Sequence, residues 1–165
     1  GATFAVDGDA LELDFGGDGG PRTMRISPSA ANADAASAAR WRRFDLQHGL
    51  PRLRDDQIEA WTPQQLSLQR LRAFSVKKGC YPGQEIVART HFLGQVKRGL
   101  AMFEADAPIP PGAEVRDGER TLGGIVSTAG NIALAVLPLE RDANAALYSD
   151  GIALHEQPLL GGLAR

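Results

Sequence analysis

From Gly94 to the C-terminus the sequence shows no helical period and breaks instead into short apolar runs of similar length. They fall at residues 96–103, 114–116, 124–127, 132–137, 145–148 and 152–155, and are separated by Pro110-Pro111-Gly112, Asp117-Gly118, Gly130-Asn131 and Asp150-Gly151. Evenly spaced strands divided by glycine turns predict a small antiparallel β-barrel of six strands.

The part before residue 94 reads differently. Residues 3–6, 10–15 and 22–26, the second and third of them alternating apolar and polar positions and the first two joined by a turn at Asp7-Gly8-Asp9, predict three antiparallel strands. The period then becomes helical. Asp34 caps a predicted helix running to Leu46, with Trp41, Phe44 and His48 on one face, and Gly49 and Pro51 end it. Residues 55–63 read as a connection, followed by an apolar set of Leu66, Leu68, Leu71 and Phe74. A second helix is predicted from Gly83 or Gln84, with Glu85 and Arg89 spaced for an i, i+4 pair. The expected fold class is therefore α+β, divided into residues 1–93 and a barrel of residues 94–165.

Composition removes several functional classes. The 165 residues include 18 Lys+Arg against 20 Asp+Glu, a net charge of −2, so no global basic field points to nucleic acid. One cysteine excludes an internal disulfide framework, and the apolar runs are far shorter than the roughly 20 residues of a membrane helix. No signal sequence is recognisable, and a cytoplasmic location without membrane contact is expected. There is no Walker loop, no GxGxxG and no GxSxG elbow, and the three histidines, His48, His91 and His155, have no zinc-site spacing.

The chemistry concentrates at residues 77–85, Lys77-Lys78-Gly79-Cys80-Tyr81-Pro82-Gly83-Gln84-Glu85. A lone thiol stands between two lysines and a predicted helix start, and both an ammonium and a helix N-terminus stabilise a thiolate. The alternative reading makes Cys80 a small buried packing residue. Between Arg70 and Arg98 seven basic residues face one acid, Glu85. That local excess suits a phosphate backbone, a polyglutamate tail, an acidic partner protein or simply a solvated stripe. Direct tRNA binding is not expected, because Phe74, Tyr81 and Phe92 lack the order of a known RNA-stacking motif.

The octapeptide Lys78-Gly79-Cys80-Tyr81-Pro82-Gly83-Gln84-Glu85 resembles the K-G-C-Y-x-G-Q-E signature of the YgfZ family, within the folate-binding superfamily of the glycine-cleavage T-protein. The segment from Trp41 to Gly49-Leu50-Pro51 is similar to that family as well. So are Trp61-Thr62-Pro63-Gln64-Gln65-Leu66-Ser67-Leu68, with Ser67 where an Asn is expected, the positions Val87-Ala88-Arg89 and Lys97-Arg98, and the glycine-bearing run at 122–127. The family's proteins are longer, and this chain resembles their C-terminal portion.

The resemblance implies a partial ferredoxin-like α/β subdomain, the second of a T-protein-like fold, followed by the C-terminal barrel. It implies a channel for tetrahydrofolate, left incomplete without the N-terminal half. The implied role is a folate-dependent accessory one, in iron–sulfur cluster assembly or repair, that supports tRNA-modifying radical enzymes. Its partners would be folate, iron–sulfur enzymes or assembly proteins, and the missing half. No defined turnover reaction is expected; the alternative is an aminomethyltransferase-like one-carbon transfer. By position in the motif, Cys80 is the functional thiol, and Lys78, Gly79, Tyr81, Gly83, Gln84, Glu85 and Arg89 are the cofactor-binding residues. No resident metal is expected.

Overall fold

The computed structural model describes residues 4–28, 32, 34–77, 79–80, 82–94 and 96–163. Three strands, β1 (Phe4–Asp7), β2 (Ala10–Asp14) and β3 (Thr23–Ile26), form an antiparallel sheet in chain order, as the alternation predicts. Helix α1 spans Ala35–Gln47. The Asp34 carboxylate accepts the Ala36 amide at 3.0 Å, so one donor that the helix leaves unpaired is satisfied by the residue the sequence offers for it. A second helix, α2, spans Gln84–Leu93, and two short 3-10 turns, Asp55–Gln57 and Leu68–Leu71, lie between the helices.

The six expected strands are β4 (Arg98–Ala105), β5 (Glu114–Asp117), β6 (Arg120–Ala129), β7 (Ile132–Pro138), β8 (Leu147–Ser149) and β9 (Ile152–Gln157). They close into a barrel in the order β4-β7-β6-β5-β8-β9. The fold class is α+β, ending in this closed antiparallel barrel.

Strand β7 shows why its sequence is a continuous apolar run instead of an alternating one. Ala133, Ala135 and Leu137 point into the barrel with Phe103, Val115 and Ile125, while Ile132, Leu134 and Val136 point outward. The outer face is covered by Leu46 of α1 and by Leu66, so both faces of the strand leave water. Full burial of such side chains stabilises by about 1.5–3 kcal/mol each, and Phe103 and Leu134 are each 0% exposed. One apolar cluster is therefore shared between α1 and the barrel wall.

Polar side chains stitch the same junction. In β6 the register shifts between Ile125 and Ser127, leaving Val126 as an extra residue in the ladder. The Val126 carbonyl accepts from Gln57 Nε2 at 3.0 Å, and the other end of that amide, Gln57 Oε1, accepts the Arg54 amide at 2.9 Å. Ser67 adopts a left-handed backbone, φ 53°, and its hydroxyl accepts the Leu100 amide at 3.0 Å. In the YgfZ-like pattern an Asn is expected there, and Asn is among the residues that tolerate this conformation best.

Gly123 explains the glycine-bearing run of β6. A Cβ built on it would lie 2.0 Å from the Val136 carbonyl oxygen of the neighbouring strand, so only hydrogen fits.

Candidate functional site

The motif loop runs from a local turn to the start of α2. Upstream, Lys77 donates its amide to Ser75 Oγ at 3.2 Å. Downstream, Gly83 caps α2 at φ 82°, a backbone state that a residue with Cβ takes with strain, and its carbonyl accepts the Val87 amide at 3.2 Å. Val87 is the buried residue of α2, and Gln64 Nε2 donates to the Val87 carbonyl at 2.8 Å, fastening the helix to the 3-10 region before it.

Cys80 is exposed. The packing-residue reading of this thiol is thus set aside by its position on the surface of the loop. Gly79, Gly83, Glu85 and Arg89 are exposed as well, and Gln84 is half-buried. Lys78 and Tyr81 lie outside the described residues. No ion pair joins Glu85 to Arg89, both of which face solvent. Ile86, Phe92 and Leu93 are 60%, 69% and 84% exposed, so α2 leaves three large apolar side chains uncovered beside the loop, with Glu85 and Arg89 among them.

Behind the loop, the front of the molecule is organised by two buried polar groups that sequence reasoning treated only as helix-face residues or left out. His48 is 0% exposed and stacks on Phe44, with ring centroids 4.0 Å apart. Gly19 donates its amide to Nε2 at 3.2 Å, so Nε2 is the acceptor nitrogen and Nδ1 carries the hydrogen that reaches the Phe44 carbonyl at 2.8 Å. Asp45 receives Arg22 Nη1 at 2.5 Å and Arg52 Nη2 at 3.4 Å. The Arg22 guanidinium lies 4.0 Å from the Phe44 ring centroid and 4.1 Å from that of Trp41, a cation held between a carboxylate and two aromatic faces. Arg70 joins the end of α1 to the C-terminal segment, donating to the carbonyls of His48 at 3.3 Å and Leu160 at 2.9 Å. Burial pushes its guanidinium below the ordinary arginine value.

Two cavities flank the segment that leads into the motif. One, of about 370 Å³, is lined by Leu13, Asp14, Phe15, Arg22, Leu50, Leu71, Ala73 and Leu163. The other, of about 470 Å³, is lined by Gln64, Phe74, Lys77, Thr90, His91 and Val96 among others. None of the expected cofactor-binding residues lines the first. Among the described residues, no group of three or more His, Cys, Asp or Glu side chains is placed to hold a metal ion, and no helix is long and apolar enough to cross a membrane.

Fold and motif together define an α+β protein that carries a thiol-bearing loop and ends in a C-terminal barrel of a known type. Residues 97–158 match the family model described as "CAF17, C-terminal beta-barrel domain". Curated relatives share the name "tRNA-modifying protein YgfZ". The one from Edwardsiella ictaluri (strain 93-146) is 32% identical over 133 residues, covering 81% of this chain and 39% of the relative. Its counterpart in Aliivibrio fischeri (strain MJ11) is 34% identical over 123 residues, 68% of this chain and 39% of the relative. That of Escherichia coli (strain K12 / DH10B) is 31% identical over 140 residues, 77% of this chain and 43% of the relative. The chain belongs to the YgfZ family and corresponds to its C-terminal portion. It spans about two fifths of the length of the curated relatives it matches.

Proposed function

We propose that this chain forms part of a folate-linked accessory protein that supports iron–sulfur enzymes, among them tRNA-modifying ones, through the thiol of Cys80. The observation that carries the reading is the exposed Cys80 on the loop that leads into α2, in a family whose curated members are named for tRNA modification. Iron–sulfur clusters normally take four protein ligands, and Cys80 is the chain's only thiol. Cys80 therefore supplies one ligand of a cluster shared with a client or assembly protein, and the exposed Ile86, Phe92 and Leu93 of α2 beside it give such a partner apolar side chains to cover.

Tetrahydrofolate, implied by the superfamily, fits the cavity of about 370 Å³ better than the motif loop. Its lining is mostly apolar, as a heteroaromatic ring system requires, and few polar groups interrupt it. Leu13, Leu50, Leu71 and Leu163 would enclose the ring, Phe15 would stack on it, and Asp14 and Arg22 would supply the acceptor and the cation at its margin. Reduced folate, when bound, supplies a carrier of one-carbon units. The chain's own residues hold the ring, exclude water from it and orient its edge. Ala73 lies on this cavity and Phe74 on the opposite one, so the segment that holds the ligand is continuous with the loop that carries Cys80.

The test is Cys80→Ser in the protein at its natural length. Complementation of iron–sulfur enzyme activity should be lost while the melting temperature stays within a degree or two, because an exposed thiol packs against nothing that the hydroxyl would disturb. Full complementation by the serine variant would overturn the thiol's role.

A further inference from the structure

We propose that residues 71–77 couple the folate cavity to the thiol: a ligand in the cavity of about 370 Å³ sets how readily Cys80 is modified, and a group on Cys80 sets how tightly that ligand is held. The coupling rests on the function proposed above, in which this cavity holds tetrahydrofolate and Cys80 is the working thiol, and adds the regulation of one by the other.

The stretch has open space along two sides. Leu71 and Ala73 line the first cavity, while Phe74, Ser75, Val76 and Lys77 line the second, of about 470 Å³. One run of chain therefore borders both, changing sides between Ala73 and Phe74. A close-packed element cannot shift without displacing its neighbours. A run flanked by two cavities lacks those neighbours and has room to move.

Its two ends are held unequally. At the start, the Arg72 amide donates to the Gln69 carbonyl at 3.1 Å and the Ala73 amide to the Leu68 carbonyl at 3.2 Å, which ties it to the 3-10 turn Leu68–Leu71. Arg72 closes that turn at φ 53°, a left-handed state that residues with a side chain seldom take, so the joint between turn and run is strained. At the far end the Lys77 amide reaches Ser75 Oγ, a tie within the run itself, and Gly79 and the exposed Cys80 follow. Ala73 presents a single methyl, so a ligand in the first cavity comes up against the backbone that continues into Phe74. Phe74 has the second cavity to enter or vacate, and the displacement passes toward the less anchored end, where Cys80 lies. Bound ligand selects one position of the run, and a bulky group on Cys80 selects another. Such coupling is reciprocal, because each event must shift the other's equilibrium by the same factor.

The experiment uses the protein at its natural length, with 5-formyltetrahydrofolate as an air-stable probe. Cys80 is equilibrated with oxidised and reduced glutathione, Cys80–SH + GSSG ⇌ Cys80–S–SG + GSH, and the mixed disulfide is read from the mass of the peptide that carries Cys80. Saturating probe is expected to lower the exchange constant by about fivefold. In titration calorimetry the glutathione adduct should bind the probe more weakly by that same factor, while Cys80→Ser taken through the same treatment binds it as tightly as before. Hydrogen exchange at the amides of residues 73–77 should slow when the probe binds. Phe74→Gly, a change outside the first cavity, should leave the probe's affinity for the untreated protein in place and bring the coupling factor close to one. Probe binding with an unchanged exchange constant would overturn the coupling and leave the proposed function standing. A factor that survives Phe74→Gly would overturn residues 71–77 as its route. Failure of the probe to bind at all would overturn the cavity's assignment and the coupling together, and the complementation test of Cys80→Ser would still judge the thiol by itself.

Discussion

From Arg98 to Gln157 each strand has a neighbour on both sides, whereas the sheet of β1, β2 and β3 ends in two open edges. The barrel keeps its apolar groups inside and its backbone groups in one closed ladder. The front region works by other means: a carboxylate between two arginines, a buried imidazole bridging a loop to a helix, and an arginine tying the end of α1 to the C-terminal segment through two carbonyls. The difference teaches where function can be accommodated. A closed barrel with both faces of its central strand buried has its interior filled, and the cleft of about 680 Å³ that it does carry lies on its outside, between β5 and the β8–β9 turn, while a region held together by a few polar ties leaves cavities and loops between its own elements. Both flanking cavities and the motif loop lie there or at its junction with the barrel.

The most severe way to break the barrel is Gly123→Ala. The added methyl would meet the Val136 carbonyl oxygen at 2.0 Å, a contact with backbone that no rotamer change relieves. The cost expected is at the upper end for overpacking, about 3 kcal/mol or more, and chemical denaturation should show the whole chain losing stability because α1 packs on the same wall. A wild-type midpoint would show that β6 can move away from β7 and that the barrel is not the rigid part.

Asp45→Ala attacks the front alone. It leaves Arg22, whose side chain is only 9% exposed, between the Phe44 and Trp41 rings without its counter-charge. Breaking a fully buried pair costs roughly 3–5 kcal/mol, and the freedom of Arg22 to swing toward water reduces this to about 2 kcal/mol. In native-state hydrogen exchange, amides of β2, β3 and α1 should lose protection while those of β4 and β7 keep theirs. Equal loss in both regions would show that front and barrel unfold as one unit. A smaller effect is expected for Gln57→Leu, which strands the Val126 carbonyl at the β6 bulge and the Arg54 amide together. The expected loss is about 1–2 kcal/mol, seen as faster exchange at residues flanking the bulge in an otherwise folded barrel.

The same contrast governs what the sequence discloses. The barrel is legible because glycine turns set off most of its strands, the β7–β8 connection excepted, and the register follows once the inward residues pair with one another. The cap at Asp34 and the start of α2 at Gln84 are legible for the same local reason. The bulge at Val126 is not, since nothing in residues 124–127 marks the extra residue; it depends on Gln57, which lies far away in the chain. In the front region the octapeptide is visible and its exposed thiol is not, because exposure is a property of the packing around the loop. Gln64 belongs to the segment that resembles the YgfZ family, yet its unpaired oxygen emerges only when α2 folds over it and takes its nitrogen. Charge could be counted between Arg70 and Arg98, but which of those side chains stay exposed and which, like Arg70 and Arg98, are spent on carbonyls requires the fold.

The mildest effect expected lies on the barrel's own rim, at Glu114. Its carboxylate accepts from the Thr121 hydroxyl and from Arg116 Nε, both at 3.0 Å, across and along the β5–β6 hairpin. The Thr121 bond and then the Arg116 bond hold its carboxyl below the ordinary glutamate range. A lowered folded-state value means that the charged form is the one the fold favours. The hairpin's gain is therefore present above the unfolded-state pKa and drains away as pH falls through the folded-state one. The group is fully exposed, so solvent screens the pair and the global midpoint should barely move. The sharper readout is the Glu114 side-chain carbonyl resonance, whose titration midpoint should lie below that of an exposed glutamate with no such partners, and should rise in Thr121→Val. An unshifted midpoint in the wild type would mean that even the barrel's rim is not held by its polar pairs. The barrel would then owe its order to its ladder and apolar interior alone, which would widen its contrast with the polar-tied front.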